Sequence, residues 1–373
     1  MKKTAAFSLV LLFVFSFSCS KLVIKETATI TVEWPQLGRT PQRINFIPER
    51  LTLPLEQKWR HRASSAVGPS LVATNGVVLY GTLDGRIEGV QISSGKKVGR
   101  IKIRGNFTAT CALYDASLIM VRRITQPTLA RYDLKTGKTL WKVNNAAVFS
   151  EPLVVGDKVY LSDLSGKLSC YNLTDGTKNW SVKLKGQSHA APALADSLIL
   201  VGDDRGLLHA YNFSGSEQWS FKTNAPIYAS PTCSAGTIYF GSTDKNFYAI
   251  KTSDGKELWH YQTQGKIYNS AAVSGDYVVF GSTDHYVYCL DKTSGKLIWR
   301  FQAQSVISTA PVIAGEVVFI GSLDKHLYAL DLKNGDKLWS FEAKGRIRTN
   351  PIIVNKKLLF ASENDKLYCF GEK

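Results

Sequence analysis

Apolar and β-branched residues recur in short runs from about residue 55 to the end of the chain, and turn residues separate the runs. One well-preserved unit contains Ala310–Ile313, Val317–Gly321, His326–Asp331 and Lys337–Phe341. Runs of this length and spacing are typical of β-strands, because a helix would need a longer stretch with a period of about 3.6 residues. Each unit is therefore predicted to form four short strands.

Tryptophan marks the period of these units. Spacings of 39 or 40 residues separate six of these side chains: Trp141, Trp180, Trp219, Trp259, Trp299 and Trp339. Trp59 lies about two periods before Trp141, and the intermediate position is Gly99, because Ser94–Gly99 matches Thr136–Trp141. A repeat of this length at eight positions indicates eight copies of one structural unit.

A hairpin is predicted between the third and fourth strands of seven units. A small polar residue precedes glycine there, and glycine accepts the positive φ of a tight turn without steric cost. The pairs are Ser94–Gly95, Thr136–Gly137, Asp175–Gly176, Ser214–Gly215, Asp254–Gly255, Ser294–Gly295 and Asn334–Gly335. Four antiparallel strands repeated at this period predict the blades of a β-propeller.

The two ends of the chain predict how the ring closes. The last unit stops before its tryptophan strand, whereas the first begins with an unpartnered strand around Trp59. An N-terminal strand that completes the C-terminal blade would remove an exposed sheet edge. The predicted fold is all-β: one eight-bladed β-propeller of four-stranded antiparallel blades over residues 55–373.

The repeated tryptophans also predict how the blades pack. Large indoles at one position of every unit are expected to fill the gaps between neighbouring blades rather than to form a stacking ladder for a ligand. This blade-packing set is Trp59, Trp141, Trp180, Trp219, Trp259, Trp299 and Trp339.

The first residues have the pattern of an export signal. Lys2 and Lys3 precede an apolar run that ends at Ser18, so residues 1–18 are interpreted as a lipoprotein signal peptide. Cys19 lies where such leaders place a lipidated cysteine, although Ser16 occupies the usual leucine position. An uncleaved anchor and ordinary cleavage nearby are the alternatives. Residues 19–54 are interpreted as an anchor and lead-in segment, exported and held at the periplasmic face of the outer membrane.

Composition and charge limit the possible partners. Hydrophobic residues make up 44% of the chain and charged residues 20%, as in a soluble globular protein. The formal charge of +16 favours anionic lipid, glycan or acidic protein surfaces, although a solvated basic surface would look the same. No block of Lys and Arg occurs, so nucleic-acid binding is not predicted.

No catalytic or metal-binding motif is recognised. The cysteines after Cys19 form neither CxxC nor CxxCH patterns, and the six histidines do not cluster in the repeat. Asp84, Asp244, Asp284 and Asp324 recur at turns, where hairpin geometry accounts for them. The sequence therefore predicts no enzyme, no metal and no cofactor.

The repeat resembles that of the pyrroloquinoline-quinone (PQQ) type propellers over roughly residues 55–370. The resemblance rests on Tyr-Ala-Leu-Asp, then Thr-Gly-Lys and Trp, as in Leu327–Trp339 and Val287–Trp299, and on the lead-in Glu33–Arg39. Two classes share this fold: quinoprotein dehydrogenases, which hold PQQ and Ca²⁺, and non-enzymatic lipoproteins such as the BamB family. The short chain without a Cys-Cys pair is more similar to the second class.

The resemblance implies a membrane-anchored scaffold that binds protein partners, among them a barrel-assembly complex of the outer membrane. The alternatives are a PQQ-dependent oxidoreductase and a lipid-anchored glycan or small-molecule sensor. Any ligand is expected at the channel mouth, three residues before the position that proline marks in each first strand. This ring comprises Ala66, Thr108, Phe149, His189, Tyr228, Tyr268, Ser308 and Arg348.

Overall fold

A computed structural model describes residues 21–24, 31–102, 111–122, 128–144 and 147–373. These residues form eight sheets arranged as the blades of a propeller, which confirms the predicted fold class. Within the described ranges, no helix has the length and apolar character needed to cross a bilayer. The predicted signal peptide, Cys19 and Thr108 lie outside the described residues.

Three strands precede the first inner strand of the ring. They are β1 (Val32–Trp34), β2 (Phe46–Ile47) and β3 (Glu56–Arg62). Blades 1 and 2 contain β4 (Val72–Thr74), β5 (Val77–Thr82), β6 (Arg86–Gln91), β7 (Lys97–Lys102), β8 (Ala112–Tyr114), β9 (Ser117–Val121), β10 (Leu129–Asp133) and β11 (Lys138–Val143). Blades 3 and 4 contain β12 (Leu153–Val155), β13 (Lys158–Ser162), β14 (Lys167–Asn172), β15 (Lys178–Lys183), β16 (Ala193–Ala195), β17 (Leu198–Gly202), β18 (Leu207–Asn212) and β19 (Glu217–Lys222).

The second half of the ring repeats the same order. Blades 5 and 6 contain β20 (Thr232–Ser234), β21 (Thr237–Gly241), β22 (Asn246–Lys251), β23 (Glu257–Gln262), β24 (Ala272–Ser274), β25 (Tyr277–Gly281), β26 (Tyr286–Asp291) and β27 (Leu297–Gln302). Blades 7 and 8 contain β28 (Val312–Ala314), β29 (Val317–Gly321), β30 (His326–Asp331), β31 (Lys337–Glu342), β32 (Ile352–Val354), β33 (Lys357–Ser362) and β34 (Lys366–Gly371).

The ring closes through the N-terminal strand β3. This strand pairs antiparallel with β34, and Trp59 lies opposite Cys369. Blade 8 therefore takes three strands from the end of the chain and its outermost strand from the beginning, as predicted. Because this pairing joins residues more than 300 positions apart, it holds both ends of the ring in one sheet.

The indoles connect successive blades through hydrogen bonds. Six of them donate their N–H to a backbone carbonyl of the next blade, at 2.7–3.2 Å. The pairs are Trp59 with Ile92, Trp141 with Leu173, Trp180 with Phe213, Trp219 with Thr252, Trp259 with Lys292, and Trp299 with Leu332. Each indole also lies against the turn glycine of that next blade, which brings the hairpin close enough for the bond.

The described part of the lead-in from residue 31 to residue 54 runs along the inner edges of the blades. The inner strand is the first strand of each blade. The N–H of its middle residue points away from its own sheet, and carbonyl groups of the lead-in accept several of these hydrogen bonds. The pairs are Leu113 N–H with Pro35 O, Leu194 with Pro41, Cys233 with Gln42, Val273 with Ile44, and Ile313 with Asn45, at 2.6–3.0 Å. β1 pairs with β4 and β2 with β28, so the lead-in covers the central channel wall from blade to blade.

We predict that a methyl group at a turn glycine beside an indole destabilises the ring. Gly255 has φ +69°, and a Cβ there would lie 2.5 Å from the Trp219 ring. Gly236 has φ +74° but no atom within 4 Å of a Cβ. Gly255→Ala should therefore lower the free energy of unfolding by about 1–3 kcal/mol more than Gly236→Ala, because only the first variant overpacks an interface.

Urea unfolding of the two variants beside the parent protein measures this difference. Gly236→Ala serves as the matched control, since both substitutions carry the cost of a side chain at positive φ. Equal losses in the two variants would contradict a packing role for the glycine beneath the indole.

Candidate functional site at the channel mouth

Most of the predicted mouth ring surrounds one cavity. Phe149, His189, Tyr228, Tyr268, Ser308 and Arg348 line a cavity of about 180 Å³ at one end of the channel. Ala66 lines a neighbouring cavity of about 230 Å³, which also includes Arg348. The repeat position thus brings residues from six consecutive connections, those leading into blades 3 to 8, to a common opening.

Aromatic side chains form an arc along one side of this mouth. The ring centroids of Phe149 and His189 are 5.5 Å apart, and those of His189 and Tyr228 are 5.1 Å apart. Tyr228 and Tyr268 lie nearly parallel, with centroids 6.0 Å apart. Burial, with smaller effects of Asp204 and Tyr268, raises the pKa of Tyr228, so its phenol stays neutral at physiological pH. The arc offers flat apolar faces together with hydroxyl donors and acceptors.

Polar and charged groups occupy the other side. Arg348 pairs through its Nε with Glu363, and both side chains are exposed. Ser308 donates its hydroxyl to Ile347 O at 2.6 Å. Deeper in the cavity, Glu151 accepts a hydrogen bond from Ser70 Oγ at 2.8 Å. Aromatic faces beside such groups suit contact with a peptide or a glycan.

The lead-in forms the floor of the mouth. Leu37 lines the cavity, and Arg43 behind it is fully buried. Arg43 donates from Nε and Nη2 to Pro192 O at 2.8 and 2.5 Å, and from Nη1 to Leu37 O at 3.0 Å. Burial lowers the pKa of Arg43 to about 10, with an opposing effect of Glu151, so the guanidinium remains charged near neutral pH. The mouth therefore borders the lead-in through Leu37.

Three side chains of the lead-in that the repeat does not predict carry this floor. Gln36 accepts the N–H of Val154 at 3.1 Å, and Asn45 donates to Ala271 O at 2.9 Å. The Gln36 side chain thus accepts from an inner strand in place of a backbone carbonyl of the lead-in. The Arg43 and Asn45 side chains donate to carbonyls that precede inner strands. In the sequence these three are polar residues within a proline-rich segment. That composition is typical of an exposed linker, so it does not mark them as structural residues.

A second, apolar cavity adjoins the mouth between blades 8 and 1. It is lined by Ala66, Val67, Pro69, Leu83 and Thr349 among others, and Leu83 is 44% exposed. Arg348 lines both cavities, and its ion-pair partner Glu363 lines the second, so the two cavities adjoin at this ionic bridge. A partner that covers both would bury apolar groups around a charged pair.

The mouth does not fit a Ca²⁺–PQQ group. Ca²⁺ takes roughly 6–8 converging oxygen ligands. Among the described residues, Glu151 is the one carboxylate that lines the central cavity, and it already accepts from Ser70. The same part of the chain contains no group of three His, Cys, Asp or Glu side chains placed to hold a metal ion.

The five described cysteines are buried as free thiols. They are Cys111, Cys170, Cys233, Cys289 and Cys369. Burial raises the pKa of each thiol, to about 11 for Cys170 and about 12 for Cys369. Since the thiolate is the reactive form, these side chains act as small apolar groups in the blades.

The recurrent turn aspartates join neighbouring blades. In blades 5, 6 and 7, Asp244, Asp284 and Asp324 each accept a tyrosine hydroxyl at 2.8–2.9 Å. The same carboxylate oxygens accept backbone N–H groups of the preceding blade at 2.9–3.1 Å. These acids therefore hold blades together, beyond the turn geometry that the sequence indicated.

Blade 4 replaces this tyrosine with His209. The ring is buried, with Nε2 3.2 Å from Asp203 Oδ2 and Nδ1 2.7 Å from Glu217 Oε1. Burial alone would lower the pKa of His209, but hydrogen bonds with Asp203 and Glu217 outweigh it, and the pKa is raised. Burial likewise opposes ionisation of Asp203, yet hydrogen bonds with His209 and backbone N–H groups lower its pKa. Like the tyrosines of blades 5 to 7, His209 contacts a turn aspartate, but Asp203 lies six residues before the ring instead of four.

Comparisons with known proteins give the family. The family model described as outer membrane protein assembly factor BamB matches residues 56–192, 164–283 and 264–371. A BamB of Legionella pneumophila (strain Paris) is 28% identical over 193 residues, which are 48% of this chain and 50% of that protein. A BamB of Yersinia pestis is 25% identical over 123 residues, 30% of this chain and 31% of that protein. The chain thus spans about half the length, or less, of these curated relatives.

Solved structures show the same fold in proteins of different activity. BamB from Moraxella catarrhalis matches with a TM-score of 0.73 and 19% identity, over 85% of this chain and all of that chain. A europium-containing methanol dehydrogenase matches with a TM-score of 0.78 and 13% identity, over 91% of this chain and 98% of that chain. At these identities the likeness shows the fold alone.

We predict that His209 makes the stability of blade 4 depend on pH. A raised folded-state pKa gives stabilisation that is complete below the unfolded pKa of about 6.5 and is lost as pH rises through the folded value. The expected loss is roughly 1.4 kcal/mol for each unit of pKa shift. Unfolding free energies of the parent protein, measured by urea at successive pH values above about 6.5, should therefore decline.

His209→Tyr is the matched control, because tyrosine occupies this position in blades 5 to 7 and carries no imidazole. The neighbouring groups Asp203, Glu217 and Tyr211 remain in the variant, so it tests the imidazole alone. A variant that keeps the same pH profile as the parent protein would refute this assignment.

Proposed function

The chain belongs to the family described as outer membrane protein assembly factor BamB, and from this premise we propose that it is a non-enzymatic scaffold for outer-membrane protein assembly. The family match over residues 56–371 carries the proposal. In this view the protein is exported, anchored by lipid on Cys19, and binds protein partners from the periplasmic side.

The channel mouth is the proposed partner-binding surface. Interfaces concentrate binding energy in aromatic and arginine side chains surrounded by polar groups. Tyr268 is 40% exposed and stacks on Tyr228, so its orientation is set before a partner arrives. A preordered aromatic face binds with less loss of side-chain freedom than a flexible one.

The rigid floor supports the same role. The lead-in is hydrogen-bonded to the inner strands of several blades, so the mouth residues are carried on a covered, well-connected base. Such a base positions exposed side chains for recognition of a partner. The aromatic arc therefore supports binding of an extended partner.

We predict that loss of the arc weakens partner binding without unfolding the ring. Tyr228→Ala combined with Tyr268→Ala should reduce recovery of the barrel-assembly subunits at least about tenfold, a loss of roughly 1.4 kcal/mol or more. The measurement is affinity capture of the full-length tagged protein from detergent-solubilised outer membranes, followed by identification of the co-purified proteins.

Leu258→Ala is the control for this experiment. Leu258 is 52% exposed on the outer strand β23, away from the mouth, so its loss removes exposed apolar area without touching the arc. Capture of barrel-assembly subunits by the parent protein and by Leu258→Ala, but not by the double variant, would support the proposal. Equal capture by all three would contradict a role for the mouth.

A PQQ-dependent oxidoreductase has the same fold and predicts a different outcome. If the purified protein with added PQQ and Ca²⁺ reduced a dye at the expense of an alcohol or sugar, the scaffold proposal would fail. Reproducible absence of barrel-assembly subunits, with binding of a glycan at the mouth, would instead favour the sensor alternative. In the scaffold view, cofactor addition changes neither dye reduction nor partner capture.

A further inference from the structure

Gly99 is the one repeat position without tryptophan, and the amino-terminal segment occupies its place. Gly99 is buried on β7 of blade 1. A Cβ there would lie 2.5 Å from Lys21 O and 2.8 Å from Leu22 Cα. Any side chain at residue 99 therefore conflicts with the backbone of residues 21 and 22. The space that an indole fills between other blades is used here by another part of the chain.

Residues 21–24 form a wedge between blades 1 and 2. Leu22 is fully buried and Ile24 is 5% exposed. The Leu22 N–H donates to Arg100 O of blade 1 at 3.2 Å, while Leu22 O accepts the hydroxyl of Tyr132 of blade 2 at 2.9 Å. Ile24 N–H donates to Leu134 O, also of blade 2, at 2.9 Å. The wedge thus makes apolar and hydrogen-bond contacts with both blades.

The wedge lies very close in sequence to the predicted lipid attachment. Cys19 precedes Lys21 by two residues. A residue spans at most about 3.6 Å, so the Cα atoms of Cys19 and Lys21 are separated by no more than about 7 Å whatever the conformation between them. A lipid on Cys19 must therefore enter the bilayer next to the outer strands of blades 1 and 2.

Charge on the outer strands is distributed unevenly around the ring. We define the basic half-rim as β3, β7, β11 and β15, the outer strands of blades 8 and 1 to 3. Its bases are Lys58, Arg60, Arg62, Lys97, Arg100, Lys102, Lys138, Lys142, Lys178 and Lys183. Glu56 is the one acid of these four strands. Buried Glu88 pairs with Lys97, and Glu56 pairs with Lys58.

The opposite outer strands carry balanced charge. β19, β23, β27 and β31 contain three acids, Glu217, Glu257 and Glu342, and three bases, Lys222, Arg300 and Lys337. The basic excess of the outer strands is therefore concentrated on the half of the ring from which the amino terminus emerges. Anionic headgroups attract such a surface, and attraction falls off within a Debye length.

We propose that the wedge of residues 21–24 fixes the lipid-bearing end of the chain between blades 1 and 2, so that the basic half-rim lies against the anionic headgroups of the bilayer. This inference rests on the lipidation of Cys19 in the proposed function. Anchoring by lipid and attraction by a basic surface act together, since acyl chains and cationic groups reinforce each other in membrane binding. The ring is then held with one defined edge at the membrane instead of turning on a flexible tether.

Distance to the bilayer at two matched positions tests the proposal. Lys142 of blade 2 and Arg300 of blade 6 each follow the repeat tryptophan directly, and both are exposed cations. In separate proteins, Lys142→Cys and Arg300→Cys would be labelled with a fluorophore, because the five described native cysteines are buried. The full-length lipoprotein is reconstituted into phosphatidylcholine vesicles containing phosphatidylglycerol and a nitroxide-headgroup lipid.

Quenching should be several-fold stronger at residue 142 than at residue 300. Gly99→Trp restores the repeat indole and displaces the wedge, so the ring should stay folded while the difference between the two positions disappears. Leu22→Ser provides a second variant that weakens the wedge without adding bulk. Equal quenching at the two positions in the parent protein, or an unchanged difference in both wedge variants, would overturn the proposal.

Mass spectrometry of the purified protein establishes lipidation before the vesicle measurement, and an unlipidated Cys19 would also overturn the inference. The result separates this inference from the proposed function, because the vesicles contain no partner protein. A protein that captures barrel-assembly subunits but shows equal quenching would retain the scaffold function and lose the fixed orientation. The reverse result would retain the orientation alone.

Discussion

The structure depends on covering the backbone edges of eight separate sheets. An unpaired strand edge leaves N–H and C=O groups that must find partners, and exposed edges invite pairing with other chains. At the outside, β3 completes blade 8 and joins the two ends of the chain. At the inside, lead-in carbonyls accept the N–H groups of Leu113, Leu194, Cys233, Val273 and Ile313. Proline suits this lead-in, because Pro35 and Pro41 need only their carbonyls to serve the blades.

Contacts between blades use one scheme with local exceptions, and the exceptions are informative. An indole over a turn glycine and an aspartate beneath a tyrosine recur where the repeat is regular. Blade 4 substitutes an ionic histidine group for the tyrosine, which preserves the contact but makes it titratable. Blade 1 substitutes glycine for the indole, and Leu22 fills the vacancy. Both substitutions keep the position buried. The first adds a group that can be protonated, and the second adds a binding place for residues 21–24.

The sequence predicted the fold because the same local pattern recurs from unit to unit. Seven Gly turns and the tryptophan period define the strands, and the incomplete last unit requires a strand from elsewhere. The repeat also places six of the predicted mouth residues around one cavity, while their role in binding stays a prediction. The lead-in contacts did not, because Gln36, Arg43 and Asn45 lie outside any period and their partners are 100 or more residues away. Gly99 was recognised as a missing tryptophan, but nothing local identifies Leu22 as its replacement.

The covered channel determines where recognition can take place. Several inner strands are hydrogen-bonded to the lead-in, and Leu37 of the lead-in lines the mouth, so the inner edges of these strands are already in use. Recognition is therefore left to side chains that project from the connections above this floor and to the outer strands. These two surfaces differ in chemistry: the mouth is aromatic with balanced charge around Arg348 and Glu363, whereas the half-rim is basic. Under the proposed scaffold function this separation has a physical reason, because one surface could not contact a membrane and a protein partner at once.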